Sequence, residues 1–126
     1  MIEVPDGSDP HALAAWLFDL ARQGDSARLA AYVDAGAPVD LTDADGNTLL
    51  MLAAYHDQPD VVRALVERGA DVDALNYRGQ SPLAGAVFKQ ADAVVAALVE
   101  AGADPDAGTP TARATAEMFG RPDLFA

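Results

Sequence analysis

Residues 43–75, DADGNTLLMLAAYHDQPDVVRALVERGADVDAL, repeat 33 positions later as NYRGQSPLAGAVFKQADAVVAALVEAGADPDAG, with no insertion in either copy. Gly46 falls on Gly79, Thr48 on Ser81, Leu50 on Leu83, Ala53 on Ala86, and Leu65-Val66 on Leu98-Val99. Gly69-Ala70-Asp71 meets Gly102-Ala103-Asp104. A fixed period of this length is the mark of stacked supersecondary units, each too small to bury its own apolar face. The period decides the fold.

The same register reaches both ends of the chain. Residues 1–9 read as a flexible lead-in. From Pro10, Leu13, Trp16, Leu17 and Leu20 recur at helical spacing, with Asp9 as the expected N-cap and Pro10 at the first helical position. Gln23-Gly24-Asp25 breaks that helix, and a second runs through Leu29, Tyr32 and Val33 to Gly36, expected to close it in a left-handed conformation. A shift of 33 puts Gly36 on Gly69 and Trp16 on Leu49, so residues 10–42 are a degenerate first copy. Trp16 and Tyr32 are expected to be structural. In the second copy, 43–75, Thr48 caps a short helix, Asp57 is placed to cap the next, and Val61, Val62, Leu65 and Val66 form its stripe. The third, 76–108, starts its helix at Ser81-Pro82. The fourth, 109–126, is shorter by three residues; Ala112 to Phe119 reads as its first helix, and little second helix follows Gly120-Arg121-Pro122-Asp123. Leu124 and Phe125 are therefore expected to be exposed. Helices of about ten residues are marginal alone, so one cooperative domain over 10–126 is expected.

Composition narrows the function classes. Twenty acids, sixteen of them Asp, face seven Arg and one Lys, giving a net charge of −12. Such a surface has no general affinity for nucleic acid or anionic membranes. Without cysteine, disulfides, thiolate metal sites and cysteine nucleophiles are excluded. The N-terminus lacks the pattern of a signal peptide, and the longest apolar run, Ala93 to Val99, is too short to span a bilayer. A cytoplasmic protein is expected.

The glycine turn, Thr-Leu-Leu, Ala-Ala, Val-Val, Leu-Val and Gly-Ala-Asp at these offsets resemble the ankyrin repeat, from about Pro10 to Ala126. The resemblance implies an all-α solenoid of antiparallel helix pairs with projecting turns or hairpins as fingers. It also implies a non-catalytic scaffold that binds a protein partner on a concave face. Three departures stand out. The family's Thr-Pro-Leu-His appears as Thr48-Leu49-Leu50-Met51 and Ser81-Pro82-Leu83-Ala84, without its His and the usual Thr–His hydrogen bond. Asp57 and Gln90 stand where Gly is usual, and Gln tolerates a left-handed backbone less well, so the third copy is expected to turn differently. The fourth copy is truncated.

A search for chemistry returns little. Asp43-x-Asp45-Gly46 has the look of a calcium loop, but that register puts Leu41 and Leu52 where acidic ligands are required. His11 and His56 are isolated from one another and read as surface residues. No nucleophile elbow, phosphate loop or dinucleotide fingerprint is present, so neither an enzyme nor a cofactor is expected.

The resemblance places the variable binding positions in the turns and at the ends of the first helices. Those in the turns are Ala44, Asp45 and Asn47, then Tyr77, Arg78 and Gln80. Those at the helix ends are Arg22 and Gln23, Tyr55 and His56, Phe88 and Lys89, and Met118 and Phe119. Aromatic and Arg side chains are the usual anchors of interfaces. The expected site is a Tyr55–Tyr77–Phe88 strip, with Arg22, Arg78 and Lys89 facing a partner that combines apolar and acidic groups. A monomer is expected; the alternative is a structural element self-associating as a weak homodimer through Leu124 and Phe125.

Overall fold

The computed structural model describes residues 9–125, so the lead-in before Asp9 lies outside it. The first copy forms α1 (Pro10–Gln23) and α2 (Ser26–Asp34), the second α3 (Leu49–Tyr55) and α4 (Pro59–Glu67), the third α5 (Pro82–Phe88) and α6 (Asp92–Glu100). The last contributes α7 (Ala112–Met118) and one 3₁₀ turn, Pro122–Phe125. Helices α1, α3, α5 and α7 pack side by side as an inner row. Helices α2, α4 and α6 form an outer row, and each pairs with the helix before it.

Local chemistry sets the boundaries. Asp9 Oδ1 accepts from the His11 N–H at 3.0 Å, and Thr48, Ser81 and Thr111 accept from Met51, Ala84 and Ala114 in the same way. The second helices end alike: Ala37, Ala70 and Ala103 donate back to Tyr32, Leu65 and Leu98, past glycines of positive φ.

The turn between paired helices corrects two expectations. Asp57 caps nothing. It adopts φ +57° and Gln58 stands at the helix start without a side-chain cap. Gln90 adopts φ +56°, so the third copy turns just as the second does. Gly24 and Gly120 hold the same left-handed place in the outer copies. In all four copies the second residue of the turn donates to a carbonyl near the end of the first helix, which demands this backbone whatever the side chain. At Gly24 there is a second demand: a Cβ would sit 2.3 Å from Oε1 of Gln58, the residue whose Nε2 donates to the Arg22 carbonyl at 2.8 Å.

The core is a continuous seam between the rows. Leu17, Leu20, Leu29, Leu49, Leu50, Val61, Val62, Leu65, Leu83, Val94 and Leu98 are all essentially inaccessible, whereas Val66 is half-buried. Trp16 is buried and meets half-buried Tyr32 edge-on at 4.8 Å, which makes both structural. Leu124 and Phe125 are not an exposed end. The 3₁₀ turn folds them back, half-buried, against the core, and Arg113 donates to the Phe125 carbonyl.

Aspartates hold the fingers. Asp40 accepts from the Asp71 N–H and Asp73 from the Asp104 N–H, which ties each loop to the next at 3.0 and 2.8 Å. At the finger tips, Asp43 accepts from the N–H groups of Asp45 and Asn47, and its equivalent Asn76 accepts from those of Arg78 and Gln80. Buried Asn76 adds what an acid cannot: its Nδ2 donates to Asn47 Oδ1 at 2.9 Å and Gln80 Oε1 at 2.8 Å, joining two fingers.

Two stability measurements test this account. Gln90→Gly, at an exposed position, should raise stability by roughly 0.5–1 kcal/mol in denaturant unfolding, because relief of left-handed strain exceeds the entropy glycine adds to the unfolded chain. Asn76→Asp should lower it by about 1–3 kcal/mol, since both donors are lost and a carboxylate is turned toward two oxygen acceptors.

Candidate functional site

The inner row presents the ends of successive first helices at a spacing of one repeat. Arg22, Tyr55, Phe88 and Met118 fill one equivalent position, and Gln23, His56, Lys89 and Phe119 the next. Short helices explain their exposure. Each inner helix ends where its stripe leaves the core, so these side chains project past the packed layer. Seven large hydrophobic side chains are exposed among the described residues, and five of them, Tyr55, Tyr77, Phe88, Met118 and Phe119, belong to the expected site.

A groove of about 460 Å³ runs between the finger tips and the inner row. Tyr55, Phe88 and Met118 line it from the helix ends, and Asp45, Asn47, Arg78 and Gln80 from the fingers. Met51, Leu52, Pro82, Ala84 and Gly85 supply an apolar floor. Six expected members, Arg22, Gln23, His56, Tyr77, Lys89 and Phe119, do not line it; Gln23 is exposed at the end of α1, and Tyr77 packs over the preceding finger. The Tyr77 ring covers Gly46 so closely that a Cβ there would be 2.6 Å from its Cδ1, yet Tyr77 remains 78% exposed. Asn47 and Gln80 are engaged by Asn76, which holds their side chains in place at the groove wall.

The aromatic contacts differ from a simple strip. Phe88 pairs edge-on with Phe119 at 5.8 Å, and Tyr55 carries the Lys89 ammonium over its face at 4.9 Å. His56 is edge-on to Tyr55. Burial, with the Arg22 and Lys89 charges behind it, holds the His56 imidazole below its ordinary pKa, so it is neutral at pH 7 in the free chain.

Charge is distributed unevenly. Arg22, Arg28, Arg63, Arg68, Arg113 and Arg121 each pair with a carboxylate. The hydrogen bond from Arg113 pulls the Asp106 carboxyl below its usual range. Among the described residues Arg78 and Lys89, the remaining two of eight cations, have no carboxylate partner, although the chain carries twenty acids. Arg78 lines the groove, and Lys89 lies over the ring of Tyr55, which lines it.

Gly85 escapes a reading based on variable helix ends, although a signal for it exists in the repeat. It occupies the position of Asp19, Leu52 and, in the shorter last copy, Thr115. It sits inside α5, where glycine costs about 1 kcal/mol relative to alanine. Nothing within the fold requires it: a Cβ would meet only Tyr55 Cδ1, at an ordinary 3.5 Å.

Among the described residues, no group of three or more His, Cys, Asp or Glu side chains is placed to hold a metal ion. No helix among them is long and apolar enough to cross a membrane.

Comparison with known proteins agrees with this architecture. The family model for ankyrin repeats, in three copies, matches residues 17–109. A Pseudomonas aeruginosa protein, named as an ankyrin repeat protein, is 53% identical over 47 residues, a stretch that covers 37% of this chain and only 28% of that relative. With three matched copies spanning most of its length, and the same paired helices and capped turns in each, the chain belongs to the ankyrin repeat family.

Proposed function

We propose that this chain is a non-catalytic, cytoplasmic module that holds a partner protein against the concave face of its inner row. Ankyrin repeats generally mediate protein–protein interaction, and the family is typically non-catalytic. The observation that carries the reading here is that exposed Tyr55, Phe88 and Met118 line one groove together with Arg78, and that Lys89 lies over the Tyr55 ring, these two cations having no carboxylate partner among the described residues. Apolar area supplies affinity, while Arg78 and Lys89, with Arg22 beyond them, favour a partner surface that mixes apolar and acidic groups. The overall charge of −12 disfavours nucleic acid on any face. A homodimer through Leu124 and Phe125 has less support, because both side chains are already half-buried in their own stack.

Changing Tyr55 and Phe88 together to Ala should weaken partner binding by about 2–4 kcal/mol in calorimetry while helical content by circular dichroism stays unchanged. Equal affinity of the double variant and the wild type would remove the site from this face.

His56 adds a pH signature. Its folded pKa lies below the unfolded value, so the free chain loses stability as pH falls from about 6.5 toward that lowered value. An acidic partner favours the protonated imidazole and raises its pKa, so binding should take up a proton and strengthen as pH falls from about 7 to 5. Titrations across that range should show the dependence in wild type and its loss in His56→Gln.

A further inference from the structure

The concave-face reading can be narrowed to one class of ligand. Along the row Asp19, Leu52, Gly85 and Thr115, the third copy alone has no side chain, so the groove floor is open at Gly85, a recess where a Cβ would meet only the Tyr55 ring. The fold does not need it. Gly85 is helical rather than left-handed, its Cβ position is sterically open, and alanine would be the better helix former. Arg78 lines the same groove, and Lys89 lies over the Tyr55 ring that borders the recess. In a chain where every other cation has found a carboxylate, these two are positioned to receive one from outside.

We propose that the groove binds an acidic segment of a partner polypeptide, with one large apolar side chain in the Gly85 recess and an adjoining Asp or Glu between Arg78 and Lys89. This rests on the concave-face reading and goes beyond it by assigning the anchor pocket and the charge of its neighbour. The recess opens on the groove and lies against the Tyr55 ring, which suits a Phe, Leu or Met side chain. The net charge of the chain repels an acidic ligand at long range, so the contact has to be made locally, by these two cations, and is screened by salt.

The test uses a displayed library of random dodecapeptides selected on the whole chain, followed by fluorescence anisotropy with the enriched peptides. Enriched peptides should carry one large apolar residue flanked by Asp or Glu. Gly85→Leu, which restores the side chain of the preceding copy, should weaken them by about tenfold or more. Gly85→Ala should also weaken them, while raising Tm by a few degrees. An Arg78→Ala, Lys89→Ala double variant should bind about tenfold more weakly and lose most of the salt dependence. Circular dichroism of each variant checks the fold. Wild-type affinity in both Gly85 variants and in the cation variant, with loss in the Tyr55→Ala, Phe88→Ala variant, overturns the anchor assignment but leaves the concave face in place. Wild-type affinity in that aromatic variant as well removes both. Enrichment of no peptide, or of peptides without acidic residues, also overturns the proposal.

Discussion

Contact between neighbouring repeats is the interaction on which everything else in this molecule depends. After α1, no helix among the described residues exceeds nine residues, and helices of that length do not persist in water by themselves. Each becomes stable only by burying its stripe against the copy on either side, as Leu49, Leu50 and Leu83 do in the inner row and Val62, Leu65 and Val94 in the outer. The chain therefore has no separate core and surface subdomains. It has a seam, and whatever does not face the seam is free to serve another purpose.

That freedom explains how so acidic a chain stays ordered. The aspartates are concentrated in loops and turns, where a carboxylate can accept backbone N–H groups that no helix or sheet would satisfy. Asp40 and Asp73 tie consecutive loops together, and Asp43 closes a finger tip. Others hold arginines, as Asp34 does for Arg68 across the outer row and Asp92 for Arg121. Exposed ion pairs of this kind add little individually. Their larger effect is to consume cations, so that among the described residues only Arg78, in the groove lining, and Lys89, over Tyr55, are left without a carboxylate.

Much of this was legible in the residues. The period, the caps at Thr48 and Ser81, and the exposure of Tyr55, Phe88 and Met118 at the helix ends follow from local chemistry repeated in register. The turn at Asp57 and Gln90 was less so, because side-chain preference suggested a cap at one and a distortion at the other. The repeat imposes the same backbone on both, and the packing on either side outweighs a strain of about 1–2 kcal/mol. Asn76 was also silent in the sequence: its worth lies in joining Asn47 to Gln80, partners 29 residues before it and 4 after. Leu124 and Phe125 were expected to be exposed, but a single 3₁₀ turn was enough to return them to the last layer.

By itself, then, the sequence determined the stack: a 33-residue period with matched apolar positions can satisfy its hydrophobic surface in only one way, by piling copies on each other in register. Only the tertiary structure decided which of the positions that differ between copies act together. Tyr55 meets Lys89 rather than Phe88, Tyr77 covers its neighbour's glycine, and Gly85 opens the floor of the groove. The physical reason is that burial follows a periodic pattern that can be counted along the chain. Contacts across repeats depend instead on how far each side chain reaches over its neighbour, and spacing in the sequence does not encode that reach.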